Sequence, residues 1–193
     1  MLNIAGNPSL VRANILVDMV TALGVIFLGA ALFLTLRKQN NLITLVALGF
    51  YFLEAGLLAA SKIGTISLLH ISQVYASSGQ PENLLVMGNL AFDSMDFIGD
   101  TLHALVFCLG AILFYYLLNK SRLVPRGFSL WGLITVVPVL VGTLTSVFGY
   151  EISFFFFVPY IPFELVIGLW ILVKGMPALK SPLSPMVEGE ALA

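Results

Sequence analysis

The sequence predicts an all-α integral membrane bundle of about five transmembrane helices, with its N-terminus outside and its C-terminus in the cytoplasm. The class rests first on composition. Of the 193 residues, 59% are hydrophobic and only 10% are charged. A soluble domain carries about a quarter charged residues, because water must solvate its surface. This chain cannot cover a core that way, so its solvent is lipid. The second observation is a series of apolar runs near bilayer length, separated by short polar or basic breaks. The third is that the basic breaks fall on one side of a five-span layout.

The first span covers about 14–36 and is closed by Arg37, Lys38, Gln39 and Asn40. Residues 1–13 are mixed and polar, with Asn3, Asn7, Pro8 and Arg12, and the apolar run that follows is long enough to span, unlike the short run of a cleavable signal peptide. The segment therefore reads as a retained helix. The second span covers about 42–62, although the apolar run continues past Ser61. Ser77, Ser78, Gly79, Gln80 and Pro81 form the clearest loop. Pro81 and Glu82 then suit a helix start, with an acid near the positive end of the dipole. The third span covers about 96–118 and is also overlong, so the second and third helices are expected to form a hairpin protruding from the membrane. The fourth, 128–148, contains Pro138 as an expected kink, and the fifth covers 154–173. These spans form one domain, 1–175, followed by a disordered cytoplasmic tail, 176–193, with prolines at 177, 182 and 185.

Five spans place Arg37, Lys38, Lys120, Arg122, Arg126, Lys174 and Lys180 on one side, leaving Arg12 and Lys62 on the other. The positive-inside rule makes the crowded side cytoplasmic and the location a prokaryotic inner or plasma membrane. Trp131 and Trp170 then lie in the cytoplasmic half, and Phe154 to Phe157 with Tyr160 belong to an outer aromatic belt.

Ionisable residues within spans are the informative ones, since a charge in hydrocarbon costs several kcal/mol unless paired or hydrated. They are Asp18, Glu54, Asp96, Asp100, His103 and Glu164. Counting about 1.5 Å per residue from the cytoplasmic ends puts Glu164 roughly 15 Å deep and Glu54 roughly 20 Å deep. Asp18, Asp100 and His103 fall roughly 24 to 29 Å in, near the outer boundary. Asp93, Asp96, Asp100 and His103 follow 3-4-3 spacing and should share one helix face. Such carboxylates repel, so water, Lys62, a proton or a metal ion must compensate them. Asp93 and Asp96 also fit a wet extension outside the bilayer, and Asp100 with His103 fits a structural hydrogen-bonded pair. Glu164 fits either a functional midplane acid or one bonded to a neighbouring helix. Glu54 shares a face with Ala47, Tyr51, Leu58 and Ser61, and Glu164 shares one with Tyr160 and Gly168. The second, third and fifth helices should therefore meet, with Glu54, Glu164 and His103 turned to one interior.

Familiar catalytic signatures are missing. The chain has no phosphate loop, no dinucleotide fingerprint and no HExxH. Its two histidines, His70 and His103, make a poor haem pair, and the single Cys108 forms no intrachain disulfide. Asp96-x-x-x-Asp100 echoes only the end of an acidic phosphoalcohol-transferase motif. No cofactor is implied. A formal net charge of −1 argues against a nucleic-acid partner recruited by bulk charge.

Three stretches carry a family resemblance. They are Tyr51 to Leu58 (YFLEAGLL), Tyr115 to Gly127 (YYLLNKSRLVPRG) and Phe163 to Gly175 (FELVIGLWILVKG). Together they resemble a prokaryotic multi-spanning membrane family catalogued only as a domain of unknown function, over most of the chain from Arg12 to Gly175. Members of that family tend to have one more N-terminal helix. They also tend to carry an arginine one turn before the glutamate of the second span, where Tyr51 stands here. On that alignment Glu54 has lost its counter-charge. The resemblance marks Glu54 and Glu164 and implies no activity.

Three classes of function fit these features. The favoured one is a non-enzymatic membrane protein with an outward-facing acidic cleft for a cation, a proton or an amine-bearing lipid. Five spans and no inverted repeat count against a monomeric transporter. The second is an accessory subunit packed against partner membrane chains or a further copy. The third is a metal-dependent hydrolase or lipid transferase using Asp96, Asp100 and His103, which lacks a full ligand set.

Overall fold

The computed structural model describes residues 1–150 and 153–174, and among them every regular element is helical. A short helix, α1 (Leu2–Gly6), precedes α2 (Pro8–Leu36), which has proline in its first turn, where the missing N–H costs nothing. Helix α2 begins at Pro8, ahead of the span expected from about Asn14. Next comes α3 (Asn41–Ser77), capped by Asn40, whose side chain accepts the Ile43 N–H at 3.0 Å. Gly79 and Gln80, both at positive φ, turn the chain into α4 (Glu82–Asp96). A π-helical segment (Phe97–Leu102) joins α4 directly to α5 (His103–Ser121). Arg122 in the left-handed conformation ends that rod. Helix α6 (Arg126–Val147) carries Pro138 inside it, and α7 (Ile161–Lys174) completes the set.

Four helices are long and apolar enough to cross a membrane: Pro8–Leu36, Asn41–Ser77, Glu82–Ser121 and Arg126–Val147. Their surfaces explain why water is the wrong solvent. Leu16, Phe27, Leu42 and Ile134 are each more than 65% exposed, although their helices pack against neighbours. A soluble monomer rarely shows so much contiguous apolar surface. The chain therefore reads as a multi-pass membrane protein. At about 1.5 Å per residue, α3 and the α4–α5 rod reach roughly 55 and 60 Å, against a hydrocarbon core of about 30 Å.

Among the described residues the expected fifth helix starts later than Phe154. Regular α-helix starts at Ile161, after a 3-10 turn at Phe154–Phe156, so α7 is a shorter apolar helix of 14 residues. Pro159 and Pro162 explain the late start, because proline removes a backbone donor and restricts the residue before it. The tail expected at 176–193 lies outside the described residues.

The apolar core joins α2, α3, α5, α6 and α7 through Leu36, Ala47, Phe114, Val136 and Phe163. Small residues set how closely the helices approach. A Cβ on Gly110 would lie 2.9 Å from the Tyr51 ring, and one on Gly29 would lie 3.0 Å from Tyr51 Cβ. The Tyr51 ring is thus clasped between α2 and α5, where it meets Phe114 edge-on at 5.0 Å. Higher on α3, a Cβ on Gly64 would meet Met95 Cβ at 2.9 Å, and one on Gly99 would meet Ser61 Oγ at 2.9 Å. The second and third rods therefore form a tight seam along their length.

Candidate functional site

Helix α3 positions the first half of the site. Its buried face runs through Ala47, Tyr51, Glu54, Leu58, Ser61 and Thr65, at helical spacing. Glu54 therefore points into the bundle with its residue 3% exposed. His103, the first residue of α5, brings Nε2 to 3.5 Å from Glu54 Oε1. The other oxygen, Oε2, is buried and has no hydrogen-bond partner among the described residues. An unpartnered buried polar atom is costly, so this oxygen calls for a proton or another partner.

The π segment decides where His103 points. On an uninterrupted α-helix, Asp96 and His103 would lie two turns apart on one face. A π turn holds about one residue more than an α turn, which rotates everything beyond it by about 100°. Asp96 and Asp100 accordingly line one cavity, and His103 turns to Glu54 instead. The single stripe expected from 3-4-3 spacing is split. Among the described residues, no group of three or more His, Cys, Asp or Glu side chains could hold a metal ion. Asp96, Asp100 and His103 do not converge into a ligand set.

That cavity has a volume of about 790 Å³ and lies between the N-terminal half of α2, the C-terminal half of α3, and the α4–π junction. Asp18, Lys62, Asp96 and Asp100 supply its charge. Lys62 Nζ donates to Asp18 Oδ2 at 2.6 Å, and Asn14 Nδ2 donates to the same oxygen at 3.1 Å. Apolar walls come from Leu10, Val17, Leu68, Phe92 and Met95. Ser61 lines this cleft, and Glu54 sits two turns deeper on the same helix face. Between them Leu58 packs with Ala22 and Ala55. An apolar plug thus separates the cleft from the buried pair.

Glu164 is placed differently from expectation. Helix α7 packs on α6 and not on α3. Phe163 fills the space that a Cβ on Gly132 would need, and it meets Tyr115 and Trp131 edge-on at 5.1 and 5.8 Å. This aromatic packing seats α7 beside α6 and against Tyr115 of α5, so the fifth helix meets the third span but does not pack on α3 as expected. Glu164 is exposed and outside the cleft lining.

Tyr160 corrects another expectation. It is 6% exposed, its hydroxyl lies 2.6 Å from that of Tyr115, and its ring packs on Phe107 at 5.6 Å. It belongs to the core and not to an outer aromatic belt, whereas Phe155 is 81% exposed. The Tyr115–Tyr160 pair went unread in the sequence. Its available signal was Tyr160 one turn before Glu164, with Tyr115 on the buried stripe Cys108, Ala111, Tyr115 and Leu118. Asn14 and Ser61 were likewise unread as site residues.

No curated protein and no solved structure matches the chain. The expected family resemblance holds over almost the whole membrane region. The chain belongs to the family described as a domain of unknown function (DUF4386), whose model matches residues 1–175.

Proposed function

We propose that the protein is a multi-pass cell-membrane protein whose acidic cleft opens to the outer side and binds a cationic amphiphile, such as an amine-bearing lipid. Five membrane passages, α7 included, put Arg37, Lys38, Lys120, Arg122 and Arg126 on the cytoplasmic side. The cleft then lies near the outer boundary, and α3 with the α4–α5 rod extends beyond it. The carrying observation is the charge imbalance within the cleft. Lys62 is engaged by Asp18, and no basic nitrogen lies within 4.0 Å of Asp96 or Asp100 among the described residues. A cation between those two carboxylates relieves their repulsion, and the apolar walls suit an attached chain.

The test uses the full-length protein in a neutral detergent with dodecyltrimethylammonium as the probe, read by calorimetry. Binding is expected to weaken with salt and to drop at least about tenfold in the Asp96→Asn, Asp100→Asn double variant. Equal affinity in that variant would remove the reading. Single cysteines at Ser78 and Gln39, in a Cys108→Ser background, test the orientation. An impermeant reagent on intact cells should label the first and spare the second.

One observation favours a second reading, an accessory subunit. Glu164 and Gly168 are exposed on the same face of α7, and a Cβ on Gly168 would meet nothing within 4 Å. A partner helix seated there would shield the carboxylate. Purification with stoichiometric partner chains, lost on Glu164→Leu, would establish it.

A further inference from the structure

We infer that the Glu54–His103 pair holds a proton in exchange with the cleft, and that a cation entering beside Asp96 and Asp100 displaces it. This deepens the reading of the cleft as a cation site and rests on it.

The geometry supplies the link. His103 contacts Glu54 at 3.5 Å, and its side chain is 26% exposed while that of Glu54 is 4% exposed. Asp100, three residues before His103 on the same rod, lines the cleft. The imidazole therefore stands between a sealed carboxylate and an open one. Leu58, packed with Ala22 and Ala55, closes the direct way along α3, which leaves His103 as the connection. Glu54 Oε2, buried and unpartnered among the described residues, has room in its bonding for a proton.

Electrostatic balance supplies the reason. On α2 the acid facing this region is Asp18, held by Lys62 of α3. The π junction contributes Asp96, Asp100 and His103. Tyr51 lies one turn inward on α3, and α5 adds Cys108 and Tyr115. Tyr160, just before α7, packs against Tyr115 and Phe107 of α5, and Glu164 of α7 is exposed outside the cleft. Asp18, Glu54, Asp96 and Asp100 thus stand against one lysine and one imidazole. Excess negative charge at a membrane boundary is costly, and bound protons offset it when no cation is present. Once a cation occupies the cleft, one proton is redundant. Its O–H or N–H bond breaks, the electron pair stays on the carboxylate or ring nitrogen, and the proton passes to cleft water and then to buffer.

The full-length protein is titrated with dodecyltrimethylammonium in weakly buffered neutral detergent, with a pH indicator for release and calorimetry for binding. The probe is a quaternary ammonium without an ionisable proton, so every proton released comes from the protein. About one proton per bound probe is expected, and by linkage probe affinity rises with pH by up to about tenfold per unit. Glu54→Gln should release less than half as many protons per bound probe and flatten the rise of probe affinity with pH. His103→Gln should do the same, and it carries the test if the Glu54 variant fails to fold. Probe binding without release, or undiminished release in both variants, overturns the inference and leaves the cation cleft standing. Failure of the wild-type protein to bind the probe overturns both.

Discussion

Glu54 and Lys62 lie about two turns apart on α3, yet they belong to regions with different physics. Around Lys62 a charged cleft of about 790 Å³ with apolar walls opens beside the contact between α3 and the α4–α5 rod. Around Glu54 they close, with Gly110 and Gly29 pressed against Tyr51 and Leu58 plugging the way out. In the cleft, water and counter-ions can solvate acids, so a cluster is tolerable there. In the seam, one carboxylate has one imidazole contact and an oxygen without a partner. The comparison teaches that acid content alone does not define a membrane site. Helix packing decides which acids line an open cavity and which are sealed between helices.

Closing or widening the seam should have the largest effect. Gly110→Leu would drive a side chain into Tyr51 and Phe50, where even a Cβ meets atoms at 2.9 and 3.0 Å. Overpacking of this kind is expected to cost about 1 to 3 kcal/mol, seen as a lower unfolding temperature in detergent. Gly56→Leu is the control, because a Cβ there meets nothing within 4 Å. Its change should stay within about 0.5 kcal/mol. Equal effects would mean that the seam is no tighter than the lipid-facing surface.

Charge changes in the cleft come next. The Asp96→Asn, Asp100→Asn double variant should lose at least about tenfold in affinity for the quaternary ammonium probe. Lys62→Met works in the opposite direction on the same surface. Removing the lysine frees Asp18, leaving it only its bond from Asn14. Probe affinity should rise about threefold to tenfold, and the gain should shrink with salt. Unchanged affinity would show that Asp18 and Lys62 serve packing alone.

Much of the buried pair could be read from periodicity. Ala47, Tyr51, Leu58 and Ser61 were expected on the Glu54 face, and all of them are buried with it. Helical spacing is a local property, and α3 is regular along its length. The π turn was not readable, because Phe97–Leu102 holds no proline and only one glycine to announce a break. That one irregularity sends Asp100 and His103 to different regions. Tyr160 was misplaced for another reason. Nearness to a span boundary does not say which way a ring points, and its partner Tyr115 lies 45 residues away. The seating of α7 likewise depends on Phe163 fitting against Gly132, a contact between distant parts of the chain.

The most direct test of the cleft places a cysteine at Ala13, which lines it, in the Cys108→Ser background. An impermeant thiol reagent is applied to intact cells, with and without dodecyltrimethylammonium, and labelling is followed over time. If the cleft opens outward and takes a cation, Ala13→Cys labels from outside and the quaternary ammonium slows it, whereas dodecyl maltoside does not. Labelling only after the cells are opened, or equal labelling with all additions, would contradict an outward cation site.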